Sequence, residues 1–227
     1  MLYIVGTPIG NLDDLSLRQA KTLAFSDVVL AEDTRSAFTL LQGIKNRFNV
    51  SFNRNQKVIS YYREKEFEKL PEIIQLLNEE KTVVLISESG LPLISDPGYL
   101  LVKTCIRKKL KFSVIPGPSA VTTGLIHSGF NTNEFMFLGF FPKKESEINQ
   151  LTKQLVKVKE IYPEVTFIFF ESAKRLNSTL QLIIESGWDP DMVICRELTK
   201  KFEEVARGKA KDLLKREYRG EITLLVK

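Results

Sequence analysis

In the first half of the chain, short apolar runs alternate with longer segments in which apolar residues recur every three or four positions. The runs at 2–6 (LYIVG), 28–31 (VVLA) and 82–86 (TVVLI) are apolar at nearly every position, whereas residues 15–26 and 63–80 have helical periodicity. Strands that are apolar throughout suit a parallel sheet that is covered on both faces. The pattern therefore predicts β-α-β units and an open, parallel α/β sheet.

The pattern changes beyond residue 116. Residues 116–120 (PGPSA) and 128–135 (SGFNTNEF) are rich in turn-forming residues, and only two clear helical segments separate the strand-like segments that follow. Those strand-like segments are FMFLGFF, VTFIFFES, DMVICREL, FEEVARG and GEITLLVK. We therefore predict two domains: a parallel α/β domain over residues 1–116 and a mixed-sheet α/β domain over residues 117–227.

The composition is typical of a globular protein. Of the 227 residues, 43% are apolar and 27% are charged. No segment approaches the roughly 18–20 consecutive apolar residues that span a bilayer. The segment MLYIVGTPIG lacks the charged start and the cleavage site of a secretory signal, so we expect a cytoplasmic protein without membrane contact. A net charge of +5 permits a polyanionic partner such as RNA, although many basic proteins bind none.

Chemistry that needs several cysteines or histidines is excluded. Cys105 and Cys195 lie in separate apolar segments without a further ligand at metal-site spacing, which predicts two buried free thiols and no metal. His127 is the only histidine, so a Ser-His-Asp triad is possible only with His127 as its base. Its place before Ser128-Gly129 favours a role at a helix C-terminus.

Three loops that follow predicted strands are unusually rich in glycine and proline. They are GTPIGNLDD (6–14), SESGLPLISDPGY (87–99) and PGPSA (116–120). Glycine lets the backbone approach a ligand closely, and proline fixes the direction of neighbouring backbone groups. Ligands of open parallel sheets bind beyond the carboxyl ends of the strands, so three such loops predict a site there. Neither a G-x-G-x-x-G fingerprint nor a P-loop is present.

Eight segments resemble, in order and spacing, those of the bacterial 16S ribosomal RNA 2′-O-cytidine methyltransferases, a family of the tetrapyrrole-methylase superfamily. The segments are LYIVGTPIGNLDDLSLR, AEDTR, SGLPLISDPGY, IPGPSA, FLGFFPKK, FFES, RELTKKFEEVARG and GEITLLV. The resemblance implies a two-domain tetrapyrrole-methylase-like fold, a cleft for S-adenosylmethionine between the domains, and a homodimer. It also implies methylation of a decoding-centre cytidine in 16S rRNA or the small ribosomal subunit.

The resemblance further implies which residues bind S-adenosylmethionine. They are Pro8, Ile9, Gly10, Glu88, Gly90, Leu91, Ser119 and Ala120, with Phe170 from the second domain. Glu88 and Leu91 stand where the family usually has Asp and Thr, so a carboxylate is retained with one more methylene. Most relatives are expected to continue for several dozen residues beyond GEITLLV.

Transfer of a methyl group to a ribose hydroxyl requires an aligned nucleophile and is helped by a general base. Carboxylates near strand ends are the candidates, and the residues leave the choice open between Asp33, Glu171 and Glu197, with Glu32 beside them. Basic and aromatic side chains near strand ends are RNA-binding candidates. They are Arg35, Tyr62, Lys143, Lys144, Arg175 and Lys200.

Two other functions stay open at this point. The first is methylation of a small tetrapyrrole, as elsewhere in the superfamily. The second is binding of the cofactor or of RNA without catalysis. A methyl-transfer assay that compares small-subunit RNA with a porphyrinoid separates these possibilities from rRNA methylation.

Overall fold

The computed structural model of the chain describes residues 1–214 and 217–227. The chain divides into two compact units, residues 1–119 and 120–227. We call them the N-terminal unit and the C-terminal unit. The division falls after Ser119, whereas the predicted boundary lies after Pro116; both positions belong to the turn segment 116–120.

The N-terminal unit alternates strands and helices along its whole length. Its elements are β1 Leu2–Val5, α1 Leu17–Phe25, β2 Val28–Ala31, α2 Thr34–Arg47, β3 Lys57–Ser60, α3 Glu66–Asn78, β4 Val83–Leu85, α4 Tyr99–Arg107 and β5 Phe112–Ile115. Short 3₁₀ turns precede α1 and α3, at Leu12–Asp14 and Arg63–Lys65. The predicted β-α-β rhythm is confirmed.

The five strands of this unit form one parallel sheet in the order β3-β2-β4-β1-β5. Helices α1 and α2 pack on one face, where Leu23 and Leu41 join the core. Helices α3 and α4 pack on the other face, where Ile73 and Leu101 are buried. Because both faces are covered, the three inner strands β1, β2 and β4 are apolar at nearly every position, as the sequence predicts, whereas the edge strands β3 and β5 are partly exposed.

Polar side chains fix the starts of helices α1 and α2. Ser16 and Gln19 form a reciprocal capping box at α1: the Gln19 N–H donates to the Ser16 hydroxyl, and the Ser16 N–H donates to the Gln19 side chain. Asp33 is the N-cap of α2, and its carboxylate accepts from the backbone N–H of Arg35 at 2.6 Å. These caps satisfy backbone donors that have no partner within the helix.

The C-terminal unit contains a mixed sheet and four helices in its described residues. Its elements are α5 Ala120–Ser128, β6 Phe135–Phe140, α6 Glu145–Ile161, β7 Thr166–Ser172, α7 Ala173–Glu185, β8 Met192–Arg196, β9 Glu204–Gly208, α8 Ala210–Leu213 and β10 Glu221–Val226. The strand order is β6-β7-β10-β8-β9, with β6 parallel to β7 and the other pairs antiparallel. The predicted mixed sheet is confirmed.

Successive side chains of β10 point to opposite faces of the C-terminal sheet. Ile222 and Leu224 belong to the core formed with α6, α7 and α8. Thr223 points to the opposite face, where a Cβ on Gly124 of α5 would lie 3.1 Å from its Cγ2. Gly124 thus lets α5 approach the sheet closely. The four-residue α8 is absent from the prediction because a single turn offers no periodicity to detect.

The described residues bear out the prediction for the thiols and supply two further findings. Cys105 and Cys195 are both free and buried. None of the helices in residues 1–214 and 217–227 combines the length and the apolar character that crossing a bilayer requires. Within those same ranges, no group of three or more His, Cys, Asp and Glu side chains is arranged to hold a metal ion.

Candidate functional site

The strand order of the N-terminal unit places a topological switch point between β1 and β4. These neighbouring strands continue in opposite directions across the sheet, since α1 follows β1 on one face and α4 follows β4 on the other. Open α/β sheets bind ligands beyond the carboxyl ends of the strands at such a point, which makes this edge the candidate site. The loops concerned are two of the three that the sequence singles out, 6–14 and 87–99.

All three glycine- and proline-rich loops contact one another at this edge of the sheet. The Thr7 N–H donates to the Gly90 carbonyl at 2.8 Å, and the Thr7 hydroxyl lies 3.3 Å from the carbonyl oxygens of Ser87 and Gly90. A Cβ on Gly6 would lie 2.9 Å from the backbone of Gly117, in the third loop. The predicted convergence of the loops is therefore observed, and it depends on backbone contacts that only glycine permits.

The cofactor-binding residues predicted in these loops differ in exposure. Ile9 and Gly90 are buried, and a Cβ on Gly90, where φ is +80°, would lie 3.3 Å from Ile9 Cγ2. Gly10 and Glu88 are exposed, while Pro8, Leu91 and Ser119 are half-buried. Ile9 and Gly90 therefore pack inside the loop cluster, whereas the other residues are accessible to a ligand. Ala120 is half-buried and opens helix α5 of the C-terminal unit.

The loop between β4 and α4 is held in a strained conformation. Leu93 and Ser95 have φ values of +70° and +73°, which non-glycine residues seldom adopt. Gly98 has φ of +124°, and a Cβ there would lie 2.6 Å from Leu85 Cδ2. Strain of this kind persists where the surrounding structure enforces it and is concentrated at functional sites.

Glu66 fixes the end of that loop. Its carboxylate accepts from the N–H groups of Gly98 at 3.1 Å and Leu100 at 2.9 Å, and from the Tyr61 hydroxyl at 3.0 Å. Tyr61 is fully buried, whereas its neighbour Tyr62, the RNA-binding candidate, is half-buried. The ammonium group of Lys65 lies 5.6 Å from the centre of the Tyr62 ring.

The same loop contains a carboxyl group that the sequence did not single out. Asp96 is half-buried, and its burial, the negative charge of Glu32 and that of Glu88 raise its pKa to about 6. A hydrogen bond from Ser87 and the charge of Arg63 act in the opposite direction. A carboxyl group that titrates near neutrality beside a candidate ligand site is a candidate for proton transfer.

Structural contacts engage the three carboxylates that the sequence predicts as base candidates. Asp33 caps helix α2, as described above. Glu171 is buried, forms an ion pair with Arg175, and accepts from the Ser172 N–H at 2.5 Å and the Thr179 hydroxyl at 2.7 Å. These contacts tie strand β7 to helix α7.

Glu197 is also engaged, in the loop between β8 and β9. Its carboxylate accepts from the Glu221 N–H at 2.9 Å and from the Lys200 ammonium group at 3.0 Å. Burial acts to raise the pKa of Glu197, but these hydrogen bonds and the positive charges of Lys200 and Arg196 bring it below its ordinary value. Gly220 has φ of +90°, and a Cβ there would lie 2.3 Å from Glu197 Oε1.

The predicted RNA-binding cations fall into two groups. Arg175 and Lys200 already bind carboxylates, since Arg175 pairs with Glu171 and Lys200 bridges Glu197 and Glu221. Lys143 and Arg35 are exposed. Lys144 is exposed as well, and its ammonium group lies 3.5 Å from the carboxylate of Glu147. Lys143, Lys144 and Arg35 thus present positive charge to solvent.

An aromatic cluster lies at the carboxyl ends of β6 and β7. Phe170 contacts Phe137 and Phe140 edge to face, with ring centroids 4.9 Å and 5.7 Å apart. Phe140 is 59% exposed, and a register irregularity between β6 and β7 precedes it. Phe170 was predicted from resemblance as a cofactor contact; the structure gives it aromatic partners and leaves it half-buried.

Comparison with protein families and curated proteins gives consistent matches. The model of the family described as Tetrapyrrole (Corrin/Porphyrin) Methylases matches residues 1–214. The ribosomal RNA small subunit methyltransferase I of Thermotoga maritima is 39% identical over 229 residues, which cover 99% of this chain and 97% of that protein. The protein of the same name from Streptococcus pyogenes serotype M3 (strain ATCC BAA-595 / MGAS315) is 38% identical over 229 residues, 99% of this chain and 75% of that protein. Extra length is therefore a feature of some relatives and not of all.

Solved structures share the fold at low sequence identity. The methyltransferase CobJ superposes with a TM-score of 0.68 at 13% identity, covering 99% of this chain and 92% of CobJ. A uroporphyrin-III-C-methyltransferase from Thermus thermophilus superposes with a TM-score of 0.63 at 16% identity, covering 99% and 93% of the two chains. These likenesses support the predicted fold class. The chain therefore belongs to the tetrapyrrole (corrin/porphyrin) methylase family and, within it, to the ribosomal RNA small subunit methyltransferase I proteins.

Proposed function

We propose that this chain is an S-adenosylmethionine-dependent rRNA methyltransferase that methylates the 2′-hydroxyl of a decoding-centre cytidine in 16S rRNA. The observation that carries the proposal is its similarity, over nearly the full length of both chains, to proteins named ribosomal RNA small subunit methyltransferase I. The choice of cytidine and of the ribose 2′ position comes from the motif resemblance, and the cytoplasmic location comes from the expectation that MLYIVGTPIG is not a secretory signal. These details go beyond what the names of the relatives state.

The N-terminal loop cluster suits the proposed cofactor. The Thr7–Gly90 hydrogen bond joins the loop that contains Pro8 and Gly10 to the loop that contains Leu91 without a ligand, and such preorganisation lowers the entropic cost of binding. The Glu88 carboxylate is of the type that accepts hydrogen bonds from ribose hydroxyls. S-adenosylmethionine supplies a methyl group on a sulfonium. Its proposed cleft between the domains, with Phe170 and Ala120 as contacts, stays a prediction.

The C-terminal unit offers a surface suited to RNA. Exposed Phe140 presents an aromatic side chain on which an unpaired base can stack, and Lys143 and Lys144 lie three and four residues after it. We propose that these lysines and Arg35 bind RNA phosphates, and that Tyr62 stacks on an unpaired base. Arg175 and Lys200 contribute less in this proposal because carboxylates already bind them.

Replacing two lysines tests this surface. In the Lys143→Ala/Lys144→Ala variant, the slope of log affinity for 16S rRNA against log salt should decrease by about 1–2, because two phosphate contacts are lost. The matched control is Lys153→Ala/Lys157→Ala, which removes the same charge from exposed positions of helix α6. Equal slopes for the two variants would show that Lys143 and Lys144 contribute only general surface charge and no specific phosphate contacts.

The decisive experiment for the function is methyl transfer to small ribosomal subunits from cells that lack this activity. Labelled S-adenosylmethionine and mass spectrometry identify the modified nucleotide. Label on the ribose of a decoding-centre cytidine supports the proposal. Label on a porphyrinoid but not on RNA would favour a tetrapyrrole substrate, and cofactor binding without any transfer would indicate an inactive relative.

Homodimer formation also stays a proposal, based on the resemblance alone. Sedimentation equilibrium of the purified chain measures it directly. A mass that corresponds to one chain at micromolar concentration would contradict it.

A further inference from the structure

The backbone around Asp96 is held by two side chains from other segments, Arg63 and Glu66. Asp96 lies in the loop between β4 and α4, between the positive-φ residues Ser95 and Gly98. The Glu66 carboxylate accepts from the Gly98 N–H two residues after Asp96, and the Arg63 guanidinium donates to the Ser95 carbonyl at 3.4 Å directly before it. The backbone that carries Asp96 is therefore held on both sides.

The Asp96 carboxyl group is connected to the predicted methyl-donor loops by one side chain. The Ser87 hydroxyl donates to the Gly90 carbonyl at 3.1 Å, and its interaction with the Asp96 carboxyl group acts to lower the pKa of Asp96. The same Gly90 carbonyl accepts from the N–H of Thr7, in the first loop. Asp96 is thus adjacent to the point where the loops after β1 and β4 meet.

The charged groups that face Asp96 come from three separate segments. Glu32 follows β2, Glu88 follows β4, and Arg63 follows β3. Burial and the two carboxylates disfavour the ionised form of Asp96, while Arg63 and the Ser87 hydroxyl favour it. These opposing effects leave the pKa of Asp96 higher than that of an exposed aspartate. The group is still ionised at neutral pH and can accept a proton there.

We propose that Asp96 is the general base of the methyl-transfer reaction and removes the proton of the ribose 2′-hydroxyl. This inference rests on the proposed function. A new bond forms between ribose O2′ and the methyl carbon, the bond from that carbon to the sulfonium sulfur breaks, and its electron pair stays on sulfur. The proton moves from O2′ to the Asp96 carboxylate and then to solvent, so charge and atoms balance.

The first test replaces the carboxylate with an amide of the same shape. In Asp96→Asn, kcat for methylation of the small subunit should fall by about 10²–10⁴-fold, the range that general-base catalysis supplies. Its affinity for S-adenosylmethionine, measured by calorimetry without RNA, should stay within about threefold, because asparagine keeps the shape of the side chain and an oxygen that can accept from Ser87. A kcat within threefold of the wild-type value would overturn the proposal.

The second test uses a readout that does not depend on activity. Carboxyl ¹³C resonances of the aspartates are followed against pH, and the one missing in Asp96→Asn is assigned. Its midpoint should lie near pH 6. The acidic limb of the kcat/KM profile of the wild-type protein, which reports ionisations of the free enzyme, should have the same midpoint, since only the ionised carboxylate accepts a proton.

Two further variants move that midpoint in opposite directions. Glu32→Gln removes a charge that raises the pKa of Asp96, so both the NMR midpoint and the acidic limb of kcat/KM should shift to lower pH. Arg63→Gln removes a charge that lowers the pKa, so both should shift to higher pH. Shifts of the NMR midpoint without matching shifts of the kcat/KM limb would overturn the proposal.

The outcome also separates this inference from the proposed function. If the wild-type protein methylates the cytidine ribose and Asp96→Asn does so equally well, the inference fails and the function stands. If the wild-type protein transfers no methyl group to RNA, the proposed function fails and the inference falls with it.

Discussion

Carboxylates lie at the carboxyl ends of strands in both units, but their neighbours differ. In the C-terminal unit, Glu171 and Glu197 are each held by a cation and by an N–H donor. In the N-terminal unit, Asp96 faces two carboxylates, and the charge of Arg63 and the Ser87 hydroxyl only partly offset their effect and that of burial on its pKa. Carboxylates of the first kind stabilise the fold around them, whereas one of the second kind is suited to proton transfer. The difference lies in the neighbours and not in the position along a strand.

The largest effect on stability is expected from removing the buried carboxylate of the C-terminal unit. Glu171→Ala should lower the free energy of unfolding by about 3 kcal/mol, because Arg175 and the Thr179 hydroxyl lose their partner in a buried setting. Urea unfolding followed by circular dichroism measures the change. The control is Glu164→Ala, which breaks an exposed ion pair with Lys227 and should change stability little. Equal losses in the two variants would contradict a structural role for Glu171.

A smaller loss of stability is expected from a change at Gly220, which lies beside the Glu197 carboxylate. Gly220→Ala should cost about 2 kcal/mol, since alanine is strained at φ of +90° and its Cβ would overlap the Glu197 carboxylate. Gly187→Ala isolates the conformational part at about 1 kcal/mol, because nothing lies within 4 Å of a Cβ there. The excess at position 220 should disappear in a Glu197→Ala background. An unchanged excess would mean that the Glu197 side chain does not cause it.

The sequence predicts the sheets and the convergence of the loops because both follow from local patterns. Strands that are apolar throughout indicate a sheet covered on both faces, and the core of the N-terminal unit has that arrangement. Glycines 6, 90 and 117 mark the places where backbones approach each other. Residues 87–98 contain neither helix nor strand, as their proline and glycine content predicts.

The sequence could not show which carboxylate is suited to proton transfer. The surroundings of Asp96 are formed by Glu32 and Arg63, which belong to other loops and approach it only in the folded chain. The partners of Glu171 were more accessible to prediction. Arg175 follows it by one helical turn and Thr179 by a further turn, so both lie on the helix face that Glu171 contacts.

The smallest expected effect is a gain in the free energy of unfolding, not a loss. The folded state raises the pKa of Asp96 from 3.8 to about 6, so it binds the proton more tightly than the unfolded chain does. This group therefore lowers the free energy of unfolding as pH rises from about 4 to about 6, and the loss persists above pH 6. At pH 8, Asp96→Asn should be more stable than the wild-type protein by about 1 kcal/mol, a value reduced for the partial exposure of the side chain.

The measurement that checks this is urea unfolding of both proteins at pH 8 and pH 4. The gain of Asp96→Asn should vanish at pH 4, where the wild-type carboxyl group is protonated in the folded state and all other groups titrate alike in the two proteins. A variant that is less stable than the wild-type protein at pH 8 would place Asp96 with Glu171, among the carboxylates that hold the fold. A variant that is more stable and yet inactive would show that the N-terminal unit gives up stability to keep this carboxylate reactive.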